Sequence, residues 1–165
     1  MKTQFPEVLI KIVLIGLELM FVGILCAVRL QIIGWMLVIL SIGFIFWVLF
    51  HLALMTGFIL TMKTSVIDIL LYIVLHLFYL VAWLFQSDSP DGGGYVWAIQ
   101  ALGPWPSLNP FLKQYGDTVF MYAFIGTLIC YVVTVILVAS KLIKAAQARK
   151  QTPAPVPASA ESTES

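Results

Sequence analysis

Charge is the first thing this chain lacks. Asp, Glu, Lys and Arg make up 10% of the 165 residues, against 61% hydrophobic residues and a mean hydropathy of +1.02. A soluble domain carries roughly 25% charge, so water is excluded as the main solvent. The net charge is +1. There is no basic stripe with interleaved aromatics and no Gly-rich phosphate loop, so no nucleic-acid partner is expected. Cysteine is scarce too. Cys26 and Cys130 supply neither a disulfide framework nor a C-x-x-C pair. They lie at different depths of different apolar runs, so a bridge between them is not expected and both read as small buried hydrophobes. No nucleophile stands beside a base and no cofactor motif is present, which points away from an enzyme.

What the chain has is four long apolar runs: Val8–Val28, Ile32–Met62, Val66–Phe85 and Val119–Ala139. Each reaches the ~20 residues that a helix needs to cross a hydrocarbon core. The runs are continuously apolar rather than alternating, which argues against a β-barrel. Helices remain, because their backbone groups are satisfied within each segment. The expected fold is all-α: an integral membrane bundle of four transmembrane helices with one long external loop. The transmembrane domain covers 1–145, with spans near 7–28, 32–60, 66–86 and 118–140 and the loop at 87–117. Residues 146–165, rich in Pro, Ala and Ser, read as a disordered cytoplasmic tail.

The amino terminus starts basic like a signal peptide. Lys11 and Glu18 interrupt its apolar region and no A-x-A site follows, so it reads as a retained first span. Lys11, Glu18 and Arg29 share a face to within about 20°, and Gly16 and Gly23 share another, where a second backbone could approach. From Leu30 to Met62 there are 33 residues without a formal charge. Two spans do not fit, so one tilted or bent helix is expected, with Thr56-Gly57 the place for a bend or early end. In the loop, SDSPDGGG reads as flexible turn. YVWAIQALGPW reads as an interfacial helix holding Tyr95, Trp97 and Trp105 at headgroup level, with a re-entrant segment as the alternative. On the fourth span Thr127, Tyr131 and Thr134 share a face and suggest interhelical hydrogen bonds.

The third span carries the densest polar pattern. On a helix, Asp68, Tyr72, His76, Tyr79, Trp83 and Gln86 fall within an arc of about 80°, and the rest of the circumference is almost entirely apolar. Six such residues on one face predict burial against other protein. Lys2, Lys63, Lys141, Lys144, Arg149 and Lys150 fall on one side of the predicted topology, against Arg29 and Lys113 on the other. That asymmetry places both termini in the cytoplasm; a plasma or inner membrane is the expected location.

With the orientation set, depth can be counted along each helix. Lys11 and Asp68 come out level, and an ion pair between them is expected. Deeper in, Glu18, His51, His76 and the pair Cys130 and Tyr131 fall within a slab of about 5 Å, one group or pair from each helix. Two imidazoles could hold haem b through His51 and His76. Glu, His, His and Cys could bind a transition metal, and Glu18 with His76 could exchange protons. No H-x-x-H or E-x-x-H spacing singles out any of these, and no resident metal is assigned from sequence. The plainer reading is that Glu18, His76, Asp68, Lys11, Tyr72 and Tyr131 hydrogen-bond one another and specify helix packing. The leading functional expectation is a non-enzymatic accessory or structural subunit in the lipid bilayer, associating laterally with a membrane-protein partner or as a homo-oligomer. A small proton- or ion-coupled transporter subunit using Glu18 and His76 comes second, and a bis-His haem b electron-transfer protein third.

Overall fold

Apolar runs of this length form helices, and the computed structural model has four long enough and apolar enough to cross a membrane: Glu7–Leu30, Ile42–Thr61, Val66–Leu84 and Pro106–Ala148. The structure describes residues 4–32, 41–63, 65–89 and 95–151. The helices are α1 (Gln4–Leu30), α2 (Ser41–Thr61), α3 (Val66–Leu84) and α4 (Asn109–Gln151). The predicted start of the second span (33–40), the glycines near 92 and the tail beyond 151 lie outside the described residues. Helix α2 runs without interruption through Thr56-Gly57, so it does not end early there. Thr61 Oγ1 instead donates to the Gly57 and Phe58 carbonyls, satisfying acceptors at the helix end.

The turn into α3 is built from its own sequence. Ser65 caps the helix by accepting from the Asp68 backbone N–H, and Asp68 Oδ2 accepts from the Lys63 N–H at 3.1 Å. The arrangement is close to a capping box, with the carboxylate reaching back past the cap residue to Lys63. Helix α3 packs chiefly on α4, α1 on α2, and α2 also on α4. The predicted stripe on α3 does face inward: Asp68, Tyr79 and Trp83 are buried, and Tyr72, His76 and Gln86 are half-buried. The core is Val22, Leu25, Met55, Phe58, Met62, Leu75, Tyr79, Trp83, Cys130 and Tyr131. The outward faces keep large apolar side chains exposed, among them Ile12, Met20, Phe46, Ile73 and Ile136.

The predicted loop 87–117 is more structured than its composition suggests. Ser87–Asp88 (β1) pairs antiparallel with Val96–Trp97 (β2), Ser87 opposite Trp97. Ser87 and Asp88 are therefore strand, not flexible turn. Short 3₁₀ helices follow at Ala98–Leu102 and Pro106–Leu108, so the helical part of YVWAIQALGPW is five residues of 3₁₀ helix. Trp97 turns inward at 5% exposure because Gly116 makes room for it; a Cβ at Gly116 would lie 2.5 Å from the indole nitrogen. Tyr95 and Trp105 stay exposed. Helix α4 begins nine residues before the predicted 118, at Asn109-Pro110, where the proline suits a first turn and Asn109 Oδ1 accepts from Gln100 Nε2 at 2.9 Å. It also runs on through 146–151, the first part of the predicted tail.

Two ion pairs mark the ends of the bundle. At one end Lys141 Nζ lies 2.8 Å from Asp68 Oδ1 and 2.8 Å from Oδ2. The expected Lys11–Asp68 pair does not form. Lys11 is level with Asp68 but bonds Glu7 Oε1 at 2.8 Å and the Leu60 carbonyl at 3.2 Å, while α4, the main neighbour of α3, brings Lys141 to the carboxylate. At the other end Arg29 Nη2 meets Asp88 Oδ2 at 2.8 Å, both side chains fully buried. The start of α1, the end of α2, the start of α3 and the lysine-bearing part of α4 thus share one end.

Candidate functional site

Midway between these pairs, Glu18 (α1), His51 (α2), His76 (α3) and Tyr131 (α4) converge, one residue from each helix. Glu18 is 1% exposed and His51 fully buried. Helical position explains the meeting. Glu18 lies on the α1 face between Lys11 and Arg29, and His76 is one turn beyond Tyr72 on the α3 stripe. Glu18 divides its carboxylate between the rings: Oε1 is 2.8 Å from His51 Nε2, and Oε2 is 2.6 Å from His76 Nε2. Tyr72 Oη donates to Oε2 over a longer 3.4 Å.

Both imidazoles are held from behind. His76 Nδ1 donates to the Tyr72 backbone carbonyl at 2.7 Å, within its own helix. A carbonyl only accepts, so that nitrogen carries a proton. His51 Nδ1 lies 2.9 Å from Tyr131 Oη, and Tyr79 stacks on the His51 ring at 3.8 Å and 11°. Phe21 and Tyr72 flank His76, with centroids at 5.2 and 4.1 Å. Each histidine therefore turns Nε2 toward the same carboxylate.

Comparison with known proteins finds no matching family model, curated protein or solved structure. The chemistry of the centre has to be argued from its atoms.

The donor atoms of Glu18, His51 and His76 all lie within 4.8 Å of one another. Of the residues singled out from sequence, Glu18, His51, His76, Tyr72 and Tyr131 meet here. Asp68 and Lys11 stand apart at the lysine-rich end, and Cys130 gives its carbonyl to Thr134 Oγ1 instead of joining the set. Thr127 likewise bonds within its helix, to Ala123, so of the three α4 residues Tyr131 alone makes the expected interhelical bond. A porphyrin does not fit. The two rings are 5.8 Å apart, inclined at 72°, and the Glu18 carboxylate occupies the space between their Nε2 atoms. Sequence reasoning missed Trp47, which stacks on Trp83 at 5.6 Å and meets Tyr79 edge-on at 5.2 Å. Its position four residues before His51 was the available signal, since i and i+4 share a helix face.

Proposed function

We propose that this chain is a small multi-pass membrane protein holding a divalent transition-metal ion within the bilayer on Glu18, His51 and His76. One observation carries the reading: two imidazoles from different helices present Nε2 to a single buried carboxylate while their Nδ1 atoms are engaged by oxygens behind them. With a proton on Nδ1, a neutral His76 offers Glu18 a lone pair across 2.6 Å. Two lone pairs close to that distance only around a positive charge. A proton serves one such line. Here His51 Nε2 and Glu18 Oε1 also stand 2.8 Å apart; with Tyr131 Oη donating to Nδ1, Nε2 would carry the proton, yet no aligned hydrogen bond joins it to Oε1. A cation among the three donors satisfies both contacts at once.

Two nitrogens and a carboxylate oxygen suit Zn²⁺, Fe²⁺ or Mn²⁺, and the lack of a thiolate argues against Cu⁺ or an iron–sulfur cluster. Nδ1 partners on ligating histidines are the usual second layer of such centres. Three protein ligands leave at least one position open, the pattern of a reactive or exchanging site rather than a structural one. Orientation follows the lysines. The end holding Lys11, Lys63, Lys141 and Lys144 is placed in the cytoplasm, and the hairpin end, with Arg29 and Lys113, outside.

Full-length protein extracted in detergent and dialysed against each metal should retain one equivalent. Tyr131→Phe, which removes only the oxygen behind His51, should weaken retention about 10- to 100-fold without unfolding. Glu18→Gln should abolish it. Folded wild-type protein that takes up none of the three metals would overturn the reading.

A further inference from the structure

A cavity of about 640 Å³ opens at the lysine-rich end, between the start of α1, the turn after α2 and the last third of α4. Lys11, Lys63, Lys141 and Lys144 line it, with Glu7 as its acidic residue. Asp68 neutralises Lys141 from behind. Four ammonium groups thus face two carboxylates, which leaves the cavity positive. An ammonium has three N–H donors. Lys11 uses two of them, on Glu7 and Leu60, and Lys141 uses two on Asp68, so each keeps one. The Lys63 and Lys144 side chains have no carboxylate partner among the described residues.

The surroundings select among anions. Leu60 and Leu142, both at the cavity, keep 56% and 55% of their surface exposed on the outward apolar face. A ligand seated there meets cationic donors at one end and an apolar helix surface at the other. That is the profile of an amphiphile, and basic hollows between helices at a membrane boundary recognise anionic headgroups. We infer that this cavity binds the phosphate-bearing headgroup of an anionic phospholipid, with the acyl chains lying along Leu60 and Leu142. The site is separate from the Glu18 centre and stands whether or not that centre binds metal.

The test is native mass spectrometry of the full chain in detergent, titrated with phosphatidylglycerol, phosphatidylcholine or inorganic phosphate. Phosphatidylglycerol should be retained in preference to phosphatidylcholine, and inorganic phosphate should not displace it. Lys63→Gln and Lys144→Gln should each weaken retention about fivefold. Both lysines are exposed, so the variants should keep the wild-type melting temperature. Lys113→Gln, at the opposite end, should change nothing. Equal retention of the two lipids, or an unaltered Lys63→Gln/Lys144→Gln double variant, overturns the inference. Displacement of the lipid by inorganic phosphate reassigns the cavity to a free anion and overturns it too.

Discussion

Trp83 and His76 lie on one face of α3, seven residues apart, and alanine at each should do different damage. Trp83 is 1% exposed and packs against Phe44 at 4.8 Å and Trp47 at 5.6 Å. Trp83→Ala removes a large buried ring and should cost about 3–5 kcal/mol of stability. His76 is half-buried and its neighbours are mostly polar or aromatic edges, so His76→Ala should lower the melting temperature less while eliminating metal retention. Melting curves and metal content measured on the same preparations decide this. If His76→Ala melts as early as Trp83→Ala and its folded fraction still holds metal, His76 is packing and not a ligand. Asp68 gives a second contrast. Its pair with Lys141 is nearly closed to solvent on the acid side and 21% open on the lysine side. Asp68→Asn should destabilise by about 1–3 kcal/mol, below the cost of breaking a fully buried pair. Adding Lys141→Met should recover part of the loss and adding Lys11→Met should not, as read from double-mutant cycles.

Between elements, depth and the inward face of α3 were legible in the sequence, but which neighbour each face meets was not. Counting along each helix from a shared turn placed Glu18, His51, His76 and Tyr131 in one layer, because helical rise is constant. The same counting made Lys11 level with Asp68 but could not say which neighbour faces the carboxylate. That depends on how helices rotate about their axes, and α4 won. Close packing was misplaced for a related reason. Gly16 and Gly23 have nothing within 4 Å of where a Cβ would stand, whereas at Gly126 the Phe78 ring comes to 2.7 Å. Gly16→Ala and Gly23→Ala should be neutral, and Gly126→Ala should destabilise by about 1–3 kcal/mol through overpacking. Chemical melts of the three variants test the contrast. The hairpin in the predicted loop escaped notice because two-residue strands carry no periodicity.

For the molecule as a whole, the proposed topology is open to labelling. With Cys26 and Cys130 replaced, a cysteine in place of exposed Tyr95 should react with a membrane-impermeant reagent added outside intact cells, and one in place of Lys144 should not. The reverse pattern would invert the orientation. Two ion pairs tie the elements together at the ends of the bundle: Asp68–Lys141 joins α3 to α4 at one end, and Arg29–Asp88 joins α1 to β1 at the other. The midway centre takes one donor each from α1, α2 and α3 and none twice from the same helix. A helix threaded into lipid by itself would therefore carry a polar group with nothing to answer it, at a cost of several kcal/mol. Without α3 the contacts of the centre reduce to Glu18 with His51, and the second carboxylate oxygen lacks its His76 and Tyr72 partners. The centre is therefore a three-part joint, closed only when α1, α2 and α3 have all packed in register.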